Sequence, residues 1–169
     1  NGAEVAMEIL YDGGGSAIYH MMVEEDVRRI MQAPFTSVAS DGSAVTFGEN
    51  VPHLRNYGTF PRVLRKYVRE EGLIPLEEAI RRLTGFPADN LRLTDRGMLH
   101  AGYYADVVVF DPETIDSEML TLVHDLPGGC GQLHAGSTGV SHVFVAGVET
   151  VTDSQPTGAT PGSIVRSGR

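Results

Sequence analysis

The sequence predicts an α/β protein whose second half turns over to antiparallel β structure, and three observations predict it. Short apolar runs of strand length alternate with amphipathic helical stretches over the first 85 residues, the pattern of parallel βαβ units. Past Leu91 the chain changes to β-branched runs separated by turn signals. Glycine, at 20 of 169 residues, is too frequent for a mainly helical protein and implies many tight turns.

Taken in order, Val5, Ala6, Ile9 and Leu10 share one face of an opening helix that Asp12-Gly13-Gly14-Gly15 breaks. Residues 16–22 form a first strand-length run. A helix over 24–31 follows, with Val27, Ile30 and Met31 on one face and Glu24, Glu25 and Asp26 in the first turn, where the helix dipole favours acids; Pro34 ends it. Residues 35–40 are a second strand closing at Asp41-Gly42, and the loop to Tyr57 is long enough to raise a suspicion of function. Thr59 is placed as an N-cap with Pro61 in the first turn of the next helix, whose stripe is Phe60, Val63, Leu64, Tyr67 and Val68 and whose stop is Gly72. Pro75 opens a further helix with Leu76, Ala79, Ile80 and Leu83 inward and the i,i+4 pairs Glu77–Arg81 and Glu78–Arg82 outside, ended by Gly85. Residues 104–110 are a β run, and 142–151 a hairpin turning at Ala146-Gly147. Between them lies a glycine-rich loop over 126–139, and the tail from Thr152 is polar.

The formal net charge of −9 argues against binding nucleic acid or an anionic membrane, and the basic residues from Arg62 to Arg69 read as a solvated helix face. One cysteine, Cys130, excludes an internal disulfide and fits a reducing, cytoplasmic setting; a loop thiol is the plainer reading of it than a nucleophile. No apolar run has the ~20 residues of a membrane span.

Asp41 is the main chemical signal. A carboxylate after a parallel strand stands where α/β barrels build active sites, as a general base for a metal-bound water or a proton shuttle; Asp-Gly is equally ordinary turn chemistry. Arg55 offers a planar fork for a substrate carboxylate, or a surface partner for Glu49. Of the histidines, His20, His53, His100, His124, His134 and His142, none makes an H-x-H or H-x-x-x-H pair, and only His53 neighbours the candidate site; His20 reads as packed. The glycine runs at 13–15 and 128–129 are not phosphate loops, for neither has G-K-[ST] nor G-x-G-x-x-G.

Taken together, "SDGS", "PHLRNYGTFPRVL", "GLIPLEEAIRRLTGFPADNLRL", "RGMLHAGYYADVVVFDP" and "VFVAGVETV" resemble the C-terminal third of the N-acyl-D-amino-acid deacylases (D-aminoacylases) of the metal-dependent amidohydrolase superfamily. The ADVVVFDP and hairpin segments are generic to the superfamily; the SDG and R-x-x-G-T-F-P-R-V-L combination is specific to the deacylase branch. The resemblance implies the terminal βα units of a (β/α)₈ TIM-like barrel over residues 1–91, and the last strands of a small β-sandwich plus a tail over 92–169, with residues 16–22 and 35–40 as the seventh and eighth barrel strands. It implies a zinc-dependent hydrolase of N-acyl-D-amino acids, with Asp41 as the catalytic aspartate near the metal or a ligand to it. Arg55 becomes the arginine that binds the substrate α-carboxylate and His53 a neighbour to it. The element reads His53-Leu54-Arg55 where the family has H-P-R, which bears on specificity more than on reaction class. The family's metal-binding histidines and its cysteine have no counterpart among these residues, and Cys130 does not match that cysteine. The isolated chain is therefore expected to hold no zinc and to be inactive. Within the superfamily a dipeptidase for C-terminal D-residues or a cyclic amidase is the nearest alternative. Outside it the alternative is a non-catalytic module that associates with itself or with an N-terminal barrel half through exposed strand edges.

Overall fold

The computed structural model describes residues 1–13, 21–42, 55–118, 121–123, 132–134 and 136–167. Residues 1–30 and 31–169 form two compact units. In the first, helix α1 (Gly2–Tyr11) is capped by the Asn1 Oδ1, which accepts from the amides of Ala3 (3.0 Å) and Glu4 (3.1 Å). None of its residues is buried. The strand expected over 16–22 lies outside the described residues except for Met21 and Met22, which carry no strand. Helix α2 (Glu24–Gln32) begins with the acidic turn the sequence places there and runs into the second unit.

The expected strand over 35–40 is a correction. This backbone enters no β ladder among the described residues. A parallel strand exists only by pairing with neighbouring strands, and here its amides find other partners: Thr36 N donates to Ala33 O (3.3 Å) and Val38 N to Arg82 O (3.5 Å).

Helix α3 (Arg55–Arg62) starts at Arg55, four residues before the expected cap, and Thr59 sits inside it with its hydroxyl donating to Arg55 O at 3.0 Å. Pro61, also inside, has no N–H for the carbonyl of Tyr57. The chain does not break there; it widens into a π-helix over Val63–Glu70, whose five-residue spacing shows in the bond from Glu71 N to Lys66 O (2.9 Å). Gly72, in the left-handed region at φ +57°, then reverses the chain, and Leu73 N reaches back to Tyr67 O at 2.8 Å. Helix α4 (Leu76–Leu83) follows Pro75 and α5 (Gly85–Asn90) follows at once, so Thr84, not Gly85, marks the break.

The β structure is antiparallel. Strands β1 (Val107–Phe110), β6 (Val140–Val145), β7 (Val148–Thr152) and β8 (Gln155–Pro156) form one sheet in that order. The β6–β7 hairpin turns at Ala146 (φ +50°) and Gly147 (φ +81°), the two positive φ values a two-residue turn of this hand requires. Two short ribbons not expected from the sequence pair residues before the glycine-rich stretch with residues inside it: β2 (Asp116–Ser117) with β5 (Ser137–Thr138), and β3 (Thr121–Val123) with β4 (Gln132–His134).

The core of the second unit is Leu64, Ile74, Ala79 and Ile115, with Met31, Val68, Ile80, Phe110 and Val140 among those packed on it. It thus joins the helices to the turn after β1. Gly58 lets α3 lie on β2, since a Cβ there would stand 3.0 Å from Ser117 Cβ. The arginines expected as a solvated face bind across this contact instead. Arg69 Nη1 donates to Pro112 O (2.9 Å) and Ile115 O (2.8 Å), and Arg65 Nε faces Asp116 Oδ1 at 2.8 Å.

Of the two pairs expected on α4, Glu78–Arg82 forms, while Arg81 is bound by Glu78 and not by Glu77. Glu78 takes both arginines: Arg81 Nε and Nη2 donate to its two oxygens (2.7 and 2.9 Å), and Arg82 Nε to Oε1 (2.6 Å). Arg82 is not outside but 3% exposed, donating also to Met31 O and to Thr36 Oγ1 (3.0 Å). The hydrogen bonds from Arg81, then those from Arg82, lower the Glu78 carboxyl from its ordinary 4.5 to about 2. A carboxyl depressed on folding adds stability above about pH 4.5 that is lost as pH falls toward 2. The gap in Tm between the unmodified protein and Glu78→Gln is therefore expected to be widest above pH 4.5 and to close on acidification toward pH 2. A gap constant over that range in thermal melts would contradict it.

Candidate active site

The segment that leads to Asp41 is held from one side. Arg82 binds Met31 O, in the last turn of α2, and the Thr36 hydroxyl; Arg81 Nη2 reaches Pro34 O at 3.3 Å. Beyond Ser40 the chain turns. The Ser40 hydroxyl accepts from Gly42 N at 3.2 Å, and Asp41 sits between them at φ +51°, in the left-handed region that aspartate and asparagine tolerate better than other residues with a side chain. Gly42 is seated on the start of α3: a Cβ there would lie 2.8 Å from Asn56 Oδ1 and 3.2 Å from Asn56 Cα. Only glycine gives this approach without displacement, and the approach brings the aspartate beside the arginine that precedes Asn56.

The two residues singled out by sequence meet. Asp41 Oδ2 lies 3.0 Å from Arg55 Nη1, with the aspartate side chain 84% and the arginine 46% exposed. Arg55 is the first residue of α3. The guanidinium draws a carboxylate at this point by its charge and its N–H donors. A group able to accept a proton and a group able to hold an anion are thus within one hydrogen-bond length.

His53, the third candidate, lies outside the described residues, as do His20, His124, Cys130 and the side chain of His134. His100 Nδ1 is engaged with Ala101 O at 2.9 Å, and His142 Nδ1 with Glu149 Oε1 across the β6–β7 hairpin at 2.6 Å; the latter bond holds the Glu149 carboxyl below its ordinary range. Among the described residues no group of three or more His, Cys, Asp or Glu could hold a metal ion. The donors on the described part of this chain therefore do not by themselves fit a metal centre, and Asp41 would be at most one ligand of several. Asn56 and Gly42 were not singled out by sequence; their signal was the direct adjacency of each to a candidate residue.

The family model for the amidohydrolase family matches residues 4–151, and the chain belongs to that family. It is similar to the N-acyl-D-aspartate deacylase of Alcaligenes xylosoxydans xylosoxydans, 41% identical over 90% of this chain and 28% of the relative. It is also similar to the D-aminoacylase of the same organism, 46% identical over 68% of this chain and 23% of the relative. A crystal structure of D-aminoacylase matches with a TM-score of 0.71 and 38% identity over 92% of this chain and 32% of that one. The Bordetella bronchiseptica N-acyl-D-glutamate deacylase, solved with zinc and a phosphonate mimic of the tetrahedral intermediate, matches with a TM-score of 0.60 and 37% identity over 80% of this chain and 27% of that one. The chain thus spans about a quarter of the length of these curated relatives. Its mixed helices and sheet are an α/β portion of the amidohydrolase fold.

Gly42→Val is expected to lift the turn off Asn56 and separate Asp41 from Arg55. In a complete enzyme carrying this chain it should lower kcat/KM at least tenfold while leaving Tm within a few degrees. Full activity with a bulky residue at 42 would show that the close seat is dispensable.

Proposed function

We propose that this chain is the C-terminal part of a zinc-dependent hydrolase that cleaves the amide bond of N-acyl-D-amino acids. In this reading residues 1–91 belong to its barrel and 92–169 to its β module. The observation that carries it is the contact of Asp41 with Arg55 on a chain of this family, close to the deacylases named above. Zinc would be held chiefly by residues other than the described ones, whose donors form no cluster. The setting is a cytoplasm, in keeping with a single cysteine; among the described residues no helix is long and apolar enough to cross a membrane. The partner is a small anionic substrate, and the exposed apolar residues of α1, among them Met7 and Leu10, suit association with the rest of the enzyme.

The roles of this chain's residues follow from their chemistry. Arg55 at the head of α3 binds the substrate α-carboxylate, which fixes the α-carbon and lets the site read its configuration. Asp41 accepts the proton of the attacking water and delivers it to the amine nitrogen as the C–N bond breaks. The products are the carboxylic acid and the D-amino acid.

Asp41→Asn in the complete enzyme preserves size and tolerance of positive φ but removes the base. It is expected to lower kcat by about 10²–10⁴ with metal content nearly unchanged. Unchanged kcat would leave Asp41 a turn residue, and loss of metal with activity would make it a ligand.

Arg55→Ala removes a charge-assisted contact of about 1.5–3 kcal/mol, or roughly 10–150-fold in kcat/KM, on N-acetyl-D-amino acids. It should cost little on their α-carboxamides. Equal losses on acid and carboxamide would mark Arg55 as structural.

A further inference from the structure

Arg82 lies on α4 and has no assigned part in the reaction, yet it holds the segment that leads to Asp41 by both its side chain and its backbone. Its Nη1 donates to Met31 O, in the last turn of α2, and to Thr36 Oγ1 at 3.0 Å, and its carbonyl accepts from Val38 N at 3.5 Å. We infer that Arg82 is a positioning residue for the proposed reaction: through the Thr36 hydroxyl it sets where the backbone of Asp41 stands, and so how far the base is from the bond it serves. This rests on the reading of Asp41 as the proton-accepting base.

The charge of Arg82 is already met on its own helix, where Glu78 Oε1 accepts from Nε at 2.6 Å. The bonds from Nη1 go instead to neutral groups outside α4, and their effect is on the course of the chain they hold. The residue is 3% exposed, so water does not compete for those bonds, and a planar fork cannot turn without unmaking them. The Thr36 hydroxyl is fixed from both sides: it donates to Ala33 O at 2.9 Å while it accepts from Arg82, which locks the turn before it and the helix beside it to one point. Between Thr36 and Asp41 the chain has little slack. Val38 N is bound to the same arginine, and the Ser40 hydroxyl accepts from Gly42 N across Asp41, which stands at φ +51°. A displacement at Thr36 is therefore passed on to Asp41, and misplacing a reacting group by about 1 Å can cost about 10²-fold in rate.

The test uses the complete enzyme, well below its Tm, with the N-acetyl-D-amino acid it hydrolyses fastest. Thr36→Val keeps the shape of the side chain and removes the hydroxyl, while Arg82 keeps Glu78 and Met31 O. It is expected to lower kcat about ten- to hundredfold, with KM within about twofold and zinc content unchanged, and Thr36→Ser, which restores the hydroxyl, should recover most of the loss. Arg82→Lys, whose single ammonium cannot serve Glu78 and Thr36 in the same geometry, should show the same split between kcat and KM; if that variant does not fold, the threonine series decides alone. In an Asp41→Asn background Thr36→Val should cost nothing more, because an absent base cannot be misplaced. Unchanged kcat in Thr36→Val, whatever happens to Tm or KM, makes the contact structural and overturns the proposal. So does loss of zinc in that variant, an equal loss of kcat in Thr36→Ser, or an equal loss with and without Asp41→Asn. If Asp41→Asn by itself leaves kcat unchanged or strips the zinc, the reading of Asp41 as the base falls and the positioning role with it.

Discussion

The guanidinium of Arg82 is the constraint on which the second unit depends. It is 3% exposed and carries a charge that must be matched where it lies. Glu78 matches it through Nε, and the two N–H groups of Nη1 are spent on Met31 O, at the end of α2, and on Thr36 Oγ1, in the segment that leads to Asp41. A buried cation with its hydrogen bonds made is neutral to weakly favourable, but deleting one partner strands the others at several kcal/mol. Its value here is therefore directional. The segment has its course set by two side chains of the neighbouring helix, Arg82 and Arg81, and by the bond from Val38 N to Arg82 O, and the position of the candidate base is inherited from that bond network.

Much of the fold was legible because local rules agreed with the outcome. The acidic first turn of α2, Pro75 before α4, Gly72 at φ +57° and the Ala146-Gly147 turn all form where residue chemistry places them. The failures share one cause, partners distant in sequence. Arg82 reads as the outer member of an i,i+4 pair, and only the arrival of residues 31–36 encloses it. Arg65 and Arg69 read as a wet face because Asp116 and the carbonyls of Pro112 and Ile115 stand more than forty positions away. Thr59 satisfies the rule for a cap, yet the helix begins at Arg55 and uses the hydroxyl internally.

The site was legible in a different sense. By residue chemistry alone Asp41 is a turn and Arg55 a surface cation; the family resemblance singled them out, and the structure sets them 3.0 Å apart. The glycine of the Asp-Gly turn explains more than turn chemistry does. Its missing Cβ is what lets that turn sit on Asn56, a contact fourteen positions away that turn propensity does not encode.

What remains is how the helix that carries Arg55 is held in place. The helix is fastened farther along. Gly58 lies against Ser117, and beyond the proline the π-helix sends Arg65 to Asp116 and Arg69 to two carbonyls of the turn after β1. The Asp111 carboxylate stiffens that turn by accepting from Glu113 N and the Thr114 hydroxyl at 2.9 Å each, which holds its own carboxyl below the ordinary range. Gly139 closes the turn's other side, its amide plane so near Ile115 that a Cβ would fall 2.6 Å from Ile115 N. The β module thus acts on the site from a distance: it anchors the helix that presents the cation.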